Sequence, residues 1–191
     1  MKPEIIVSIV AALVWIAVEG TLILRDRVAG KGTTQQDRRT RIYNIISMEL
    51  ALCLSPLISW LPALRFAGFQ APVVFWAGIL TMCLGFLLRH WSIFVLGKYF
   101  RTTVELQQDH KIVRAGPYRY IRHPSYSGML LFCIGYGLVA QNWFSLAAAV
   151  VLPTVALLHR ITIEEAAMLQ GLGTEYQQYQ QETKRLIPAI W

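Results

Sequence analysis

The residues best suited to chemistry lie between Gly116 and Gly128, a stretch that reads GPYRYIRHPSYSG and immediately precedes an apolar segment. Polar side chains at a membrane edge are costly to keep, so such a run often marks a functional site. Gly116-Pro117-Tyr118 is predicted to form a turn, which can expose backbone N–H and C=O groups to a bound ring. Tyrosine or histidine side chains nearby can form hydrogen bonds with a ribose or carboxylate. An ordinary interfacial linker is the alternative, because tyrosine and arginine also anchor chains at headgroup depth.

His123 is the sharpest feature of this stretch because Pro124 follows it. Proline keeps the preceding residue out of helical geometry and favours the first turn of a helix. The sequence therefore predicts His123 at the mouth of a helix, whose positive end attracts a carboxylate or phosphate, with Ser125 assisting. A capping or interfacial histidine is the alternative interpretation.

Arg160 and Glu164 form a second candidate pair, because residues four apart share one face of a helix. As a solvated ion pair they would contribute only about 0.3 to 0.5 kcal/mol. As a site, the planar fork of Arg160 would hold an anionic substrate, and Glu164 would attract a cationic ligand. The spacing leaves both interpretations open.

Four further polar residues, Glu19, Glu49, Arg89 and His90, fall inside apolar segments and need partners there. By their distance from the segment ends they lie at similar depth, which predicts pairing of Arg89 and His90 with the two carboxylates. A buried structural ion pair and a pocket for a substrate headgroup are both compatible with this pattern.

The elements that position these residues are predicted to be membrane helices. The chain has 191 residues, 55% of them hydrophobic, and its mean hydropathy is positive, which is typical of an all-α integral membrane protein. No small-residue cleavage site follows the first apolar run, so we expect it to stay as a helix. The cysteines have neither disulfide nor zinc spacing and are predicted to be small buried hydrophobes: Cys53, Cys83 and Cys133.

Apolar length and flanking charge predict about five transmembrane helices, the last two forming a hairpin. A single tilted span with a re-entrant piece is the less favoured alternative for that pair. The predicted helices are Pro3–Leu24, Ile42–Leu64, Pro72–Leu96, Ser125–Ala140 and Phe144–His159.

Basic residues predict the orientation, because cytosolic loops are enriched in lysine and arginine. Six lie in residues 25–41, seven in 89–122 and three in 160–191, leaving only Lys2 and Arg65 for the opposite side. We therefore expect the N-terminus outside and the C-terminus in the cytosol, with the net charge of +7 facing anionic lipids rather than nucleic acid. This topology gathers both polar stretches on one face, the second as a helix that Gly171 and Gly173 interrupt.

These residues together resemble the isoprenylcysteine carboxyl methyltransferase family over roughly residues 97 to 189. Order and spacing agree along the whole stretch. The residues that carry the resemblance are His110-Lys111-Ile112-Val113, Gly116-Pro117-Tyr118, Arg122-His123-Pro124-Ser125-Tyr126-Ser127-Gly128, Arg160, Glu164-Glu165, Gly173-Thr174-Glu175-Tyr176 and Pro188.

The resemblance implies a cytosolic cap that binds S-adenosylmethionine, with no metal. It assigns catalysis to Arg160, which would contact the acceptor, and to Glu164. One domain is expected, with a three-helix part at 1–96 and a catalytic part at 97–191. The implied cofactor-binding residues are Glu105, His110, Lys111, Ile112, Val113, Tyr118, His123, Pro124, Ser125, Tyr126 and Glu164.

The implied acceptor is lipidic or prenylated and enters from the bilayer, most simply a carboxylate as in the family's namesake reaction. Such a group is already ionised at neutral pH, whereas a phospholipid amine or small thiol would need His123 or Glu164 as a base. A bacterial inner membrane is the expected location. Two other classes remain as alternatives, a small transporter and a haem or quinone binder that uses His90, His110, His123 and His159.

Overall fold

The computed structural model describes residues 2–28, 35–58, 65–66, 71–102 and 111–191, which are almost entirely helical. Two short 3-10 turns, Gly97–Tyr99 and Gly116–Arg119, accompany the α-helices. The predicted all-α class is confirmed. The α-helices are α1 (Pro3–Val28), α2 (Gln35–Ile58), α3 (Ala71–Leu96), α4 (Pro124–Val139), α5 (Trp143–Leu172) and α6 (Thr174–Glu182).

Four of these helices, α1, α2, α3 and α5, are long and apolar enough to cross a membrane, and α4 is a shorter apolar helix. Large apolar side chains on the outer surface are exposed, among them Leu13, Phe94 and Val155 at 62, 83 and 64%. Such exposure suits side chains that face lipid. Three residues join α4 to α5, and the two helices pack against each other as the predicted hairpin requires.

Helix α5 corrects the prediction that the last span ends at His159, because it continues to Leu172. Asn142 caps its first turn at Trp143: the side-chain oxygen of Asn142 accepts hydrogen bonds from the N–H groups of Phe144 and Ser145 at 3.0 and 3.2 Å. Gly171 lies inside the helix and does not interrupt it, whereas Gly173, at a φ of 54°, ends it. Tertiary contacts of its polar residues allow the helix to continue past the apolar run.

The first two helices also differ from their predicted bounds. Helix α1 runs four residues past Leu24 to Val28, and α2 begins at Gln35 instead of Ile42. Their added ends are rich in arginine and glutamine, which favour helix without being apolar. The apolar run therefore marks the membrane span and not the helix. At its other end α2 closes at Ile58, and residues 59–64 of the predicted helix lie outside the described residues.

The closest helix contact joins α3 to α4 through two glycines on each helix. A Cβ built on Gly85 would lie 2.3 Å from the backbone nitrogen of Phe132, and one on Gly135 equally close to that of Met82. Gly78 and Gly128 are similarly tight, with nearest atoms at 2.9 and 2.5 Å. Only glycine lets the two backbones touch along this line, as is common between membrane helices.

Around this seam the core contains Trp15, Met48 and Phe132, with the rings of Trp15 and Phe132 stacked at 4.3 Å. The Sγ of Cys133 lies 3.4 Å from the Sδ of Met48, so this cysteine is buried as predicted. The prediction is wrong for the other two cysteines, Cys53 and Cys83, which are exposed on the outer surface. A membrane helix buries only the face that meets other helices, and the apolar run did not identify that face.

We expect Gly85→Ala to destabilise the protein by about 1 to 3 kcal/mol or more, because the added methyl group would overlap the backbone of α4. The measurement is the midpoint of thermal unfolding in detergent. The matched control is Gly20→Ala, at a position where nothing lies within 4 Å of an added Cβ. Alanine also favours helix, so this variant should be unchanged or more stable, and equal losses in both variants would contradict the packing described.

Candidate active site

The carboxylate of Glu165 on α5 organises the polar end of the molecule. It is buried, and it accepts hydrogen bonds from Arg122 Nε at 2.9 Å and from Arg185 Nε at 3.0 Å. His123 Nε2 lies 3.4 Å from the same group. Two guanidinium groups on one buried carboxylate satisfy charges that would otherwise be costly to bury. The site therefore rests on Glu165, a residue to which the sequence assigned no role of its own.

Backbone hydrogen bonds add to this attachment of the chain after α6. The N–H groups of Arg122 and His123 donate to the carbonyls of Lys184 and Arg185 at 2.7 and 3.0 Å, and Lys184 donates back to Tyr120 at 3.2 Å. Arg122 also reaches Thr183 and donates to the Gln180 carbonyl at 3.1 Å. The loop before α4 is thus held between α5 and the extended segment that follows α6. The two polar stretches, predicted to face the same side, lie together here.

A first cavity opens between these segments and encloses about 870 Å³, open solvent included. Eight of the residues predicted to bind the cofactor line it: Lys111, Ile112, Val113, Tyr118, His123, Ser125, Tyr126 and Glu164. Pro124 is fully buried in the first turn of α4 and supports the wall from behind. Glu105 and His110 lie outside the described residues.

The sequence did not single out one stripe of α5 that lines the same cavity. The stripe begins at Arg160 and continues at intervals of four residues with Glu164, Met168 and Leu172. Glu164, Met168 and Leu172 line the first cavity. The four-residue spacing is the signal by which the sequence could identify this stripe. The interruption predicted at Gly171 hid it, because the stripe was not expected to continue on one helix. The other lining residues that were missed are Leu96, Tyr99, Phe100, Arg101, Arg122, Tyr176 and Tyr179.

Three tyrosines, Tyr118, Tyr176 and Tyr179, line the first cavity. The hydroxyl of Tyr179 donates to the carbonyl of Tyr118 at 2.7 Å, and the rings of Tyr176 and Tyr179 lie 6.0 Å apart. Burial raises the pKa of Tyr118, Tyr176 and Tyr179 above that of an ordinary phenol. These hydroxyls therefore stay neutral at physiological pH and offer aromatic faces and hydrogen bonds without charge.

The hydroxyl of Tyr126 lies between the two residues expected to form an ion pair. It donates to Glu164 Oε2 at 2.7 Å and accepts from Arg160 Nε at 2.9 Å. The expected contact between Arg160 and Glu164 is thus bridged by a phenol. Arg160 also donates to the Thr102 carbonyl at 2.7 Å and is 4% exposed. It is a buried and firmly positioned cation, unlike a solvated surface partner.

A second cavity of about 900 Å³, open solvent included, lies on the other side of Tyr126, between α1, α2, α3 and α5. Its walls are mostly apolar, with Trp15, Met48 and Leu157 among them, and Arg160 also lines it. The two cavities share Tyr126 together with Phe100 and Arg101. A chamber lined by many polar side chains and a more apolar chamber between the candidate membrane helices therefore meet at these three shared residues.

The deep polar residues behave only partly as predicted. Arg89 pairs with Glu19 through two hydrogen bonds of 2.7 and 2.8 Å, and its third nitrogen donates to Ser125 Oγ at 2.9 Å. The pairing expected for His90 is wrong, because its Nδ1 lies 2.8 Å from the Phe86 carbonyl one turn earlier. Its Nε2 is buried without a hydrogen-bond partner among the described residues, so only one of its ring nitrogens is paired.

Known proteins are similar to this chain over the region that contains most of these features. The family model of isoprenylcysteine carboxyl methyltransferases matches residues 77–170, from α3 to the end of α5. Protein-S-isoprenylcysteine O-methyltransferase B of Arabidopsis thaliana is 31% identical over 115 residues, which are 59% of this chain and 58% of that protein. The O-methyltransferase of Schizosaccharomyces pombe is 31% identical over 133 residues, 66% of this chain and 56% of that protein. The chain thus spans somewhat more than half the length of these relatives.

A solved structure, described as the eukaryotic intramembrane Ras methyltransferase ICMT, is also similar. It superposes with a TM-score of 0.59 at 26% identity, covering 84% of this chain and 55% of that one. The resemblance inferred from the motifs is confirmed, and so is the class of integral membrane protein. The match extends further toward the N-terminus than the motifs did, because it includes most of α3.

We expect Glu165→Gln to destabilise the protein by about 3 to 5 kcal/mol, because it removes the anion from the buried guanidinium of Arg122 and from the partly exposed one of Arg185. Thermal unfolding in detergent measures the loss, and limited proteolysis after α6 reports release of the following segment. Glu182→Gln is the matched control, because Glu182 pairs with Arg114 while both side chains are about half exposed. That change should cost less than about 1 kcal/mol, and losses of similar size would refute a special role for Glu165.

Proposed function

We propose, on the premise that residues 77–170 match the isoprenylcysteine carboxyl methyltransferase family, that this chain is a membrane methyltransferase. It transfers a methyl group from S-adenosylmethionine to the carboxylate of a lipidic acceptor. One observation carries the proposal: a polar cavity and an apolar membrane cavity meet at Tyr126, between Glu164 and Arg160. A water-soluble donor and a lipid acceptor need such an arrangement to react.

The side chains that line the first cavity fit the chemistry of the cofactor. Apolar side chains of Ile112, Val113 and Leu172 can cover the faces of a purine ring, while the carboxylate of Glu164 and the tyrosine rings attract a sulfonium cation. The proposed cofactor residues are the eight predicted ones that line the cavity, with Pro124 as support. Glu105 and His110 remain part of the proposal.

The second cavity would hold the acceptor's tail, with its head at Arg160. The bound cofactor would supply an activated methyl group. A carboxylate oxygen of the acceptor would form the O–C bond of a methyl ester while the methyl–sulfur bond breaks and its electron pair stays on sulfur. No general base is required, because the acceptor carboxylate is already ionised at neutral pH. Arg160 positions that carboxylate, and its bond to Tyr126 fixes the guanidinium plane. Positioning and exclusion of water would supply most of the rate enhancement.

Glu164 and Arg160 then have separable roles on the two sides of Tyr126. Glu164 faces the first cavity, where its charge complements the sulfonium, and Arg160 faces the second. The phenol couples them, because a change in the position of either charged group alters the hydrogen bond of the other. The cofactor would approach from the polar end and the acceptor laterally from the bilayer.

The orientation we propose places this polar end in the cytosol, in a bacterial inner membrane. Sixteen of the eighteen basic residues belong to segments at that end. At the opposite end the side chain of Arg65 pairs with that of Glu4, and the backbone of Arg65 forms an isolated antiparallel β-bridge with Asn142. The two ends therefore differ strongly in basic charge, as the positive-inside rule requires.

Calorimetry in detergent should show that His123→Ala and Glu164→Ala each weaken S-adenosylmethionine binding by about 10- to 100-fold, the effect of losing one charge-assisted hydrogen bond. Glu175→Ala is the control, because Glu175 is exposed on α6. Unchanged affinity in both test variants would remove the proposed cofactor site.

Arg160→Ala should leave cofactor affinity nearly intact while methyl transfer to a prenylcysteine acceptor falls at least about 100-fold, because the acceptor loses its orienting cation. Radiolabelled cofactor measures transfer. Arg160→Lys keeps the charge without the planar fork and should recover only part of the activity. A variant that loses cofactor binding but keeps the maximal rate would reverse the assigned roles.

Cysteine labelling tests the orientation. In intact bacterial cells, a membrane-impermeant thiol reagent should label Lys2→Cys and leave Arg119→Cys unlabelled until the membrane is opened, because only the first residue would face outward. Both positions are exposed on the protein surface. Labelling of Arg119→Cys alone in intact cells would invert the proposed topology.

A further inference from the structure

Two polar side chains on α2 line the second cavity and have no role in the mechanism above. The Nε of Arg41 and the Oδ1 of Asn44 are buried, and neither takes part in a hydrogen bond within the part of the chain that the structure describes. Residues three apart lie on one face of a helix, so both side chains belong to the same side of the cavity. Most buried polar atoms in proteins are paired, and two unpaired ones beside a cavity indicate groups that a ligand completes.

The register of α2 places these residues close to the proposed carboxylate site. The Nη1 of Arg160 donates to the hydroxyl of Thr40 at 3.5 Å. Arg41 follows Thr40 directly, and Asn44 lies four residues after Thr40, about 6 Å along the helix axis. Thr40 and Asn44 share a face at this spacing. The carboxamide is therefore offset by about one helical turn from the residue that Arg160 contacts.

A carboxamide and a guanidinium together match the two polar groups of a peptide unit. A trans peptide unit carries one N–H donor and one C=O acceptor, which point in opposite directions. The Oδ1 of Asn44 can accept from the N–H, and the guanidinium of Arg41, which only donates, can reach the C=O. In a lipidated cysteine whose nitrogen is acylated, the peptide unit begins on the carbon that carries the carboxylate. The short offset between Arg160 and Asn44 suits that spacing.

We infer that Asn44 and Arg41 bind the amide that links the acceptor cysteine to the residue before it, while Arg160 holds the carboxylate of that cysteine. The acceptor class is then a carboxyl-terminal lipidated cysteine with an acylated nitrogen. A lipid carboxylate without an amide, such as a fatty acid, is a poor acceptor. The two residues of α2 set specificity and take no part in bond making. The inference rests on the proposed function, because that function assigns the second cavity to the acceptor.

Three acceptors that share a farnesyl chain and a carboxylate test the amide contact. The first is N-acetyl-S-farnesylcysteine, the second has an ester oxygen in place of its amide N–H, and the third, S-farnesylthiopropionate, lacks the acylamino group. Dissociation constants and kcat/KM are measured in detergent for wild type, Asn44→Leu and Arg41→Met. Arg39→Met is the matched control, the same change at an exposed residue of α2 that does not line the cavity.

Wild type and Arg39→Met should prefer N-acetyl-S-farnesylcysteine to S-farnesylthiopropionate at least about 10-fold, the effect of about two hydrogen bonds. Asn44→Leu and Arg41→Met should each reduce that ratio at least about threefold, because each removes one of the two bonds. The ester separates the two residues. Wild type and Arg41→Met should bind it more weakly than the amide, whereas Asn44→Leu should bind both equally, because only Asn44 reads the N–H.

A wild type without preference for the amide overturns the inference. A preference that survives unchanged in both variants also overturns it, because the unpaired atoms would then be structural. An equal loss in Arg39→Met would do the same, since the charge of α2 and not the amide contact would then set the ratio. A change in only one variant supports the amide site and removes the other residue from it. A general loss of stability lowers the values for all three acceptors and leaves their ratios unchanged.

Binding and turnover separate the inference from the proposed function. If wild type binds the acceptors and methylates none, the proposed reaction is refuted, and the ratio of dissociation constants still decides the amide site. If wild type methylates all three acceptors with equal kcat/KM, the reaction stands and the amide site is overturned. A wild type that binds none of them overturns both.

Discussion

The backbone contact between α3 and α4 is the constraint on which the polar end depends. Lipid tails are as apolar as leucine, so packing and hydrogen bonds must hold membrane helices together. Glycine pairs bring the two backbones into contact, and an added Cβ on Gly128 would lie 2.5 Å from the nitrogen of Arg89. That closeness places Arg89 beside the first turn of α4, where it reaches Ser125 and Glu19. The seam thus sets where the mouth of α4 opens.

Glu165 on α5 fixes the position of two segments that lie outside the long helices. Its carboxylate joins α5 to the loop that contains Arg122 and His123 and to Arg185 near the end of the chain. Its two guanidinium partners, Arg122 and Arg185, are far apart in sequence, and neither has another carboxylate as deeply buried nearby among the described ion pairs. Burial of one anion under several donors therefore gives the first cavity a fixed wall.

Tyr126 lies between the first cavity, which is open to polar ligands, and the more apolar second cavity. Its hydroxyl touches Glu164 on the polar side and Arg160 on the membrane side, and both distances are those of short, charge-assisted hydrogen bonds. The proposed reaction needs the sulfonium cation on one side of Tyr126 and the acceptor carboxylate on the other. Water must be excluded from the point where they meet. A half-buried phenol between two charged residues meets that requirement without adding a charge of its own.

The sequence by itself determined the helical membrane class, the approximate spans and the gathering of basic residues at one end, because apolar length and charge are local properties of the chain. It also identified residues on both sides of the first cavity, through motifs whose spacing is local. Only the tertiary structure decided that Glu165 binds Arg122 and Arg185, that Tyr126 separates Arg160 from Glu164, and that Cys53 faces outward. Those outcomes depend on which faces of distant helices meet, and a single helix in lipid carries too little information to choose its partner.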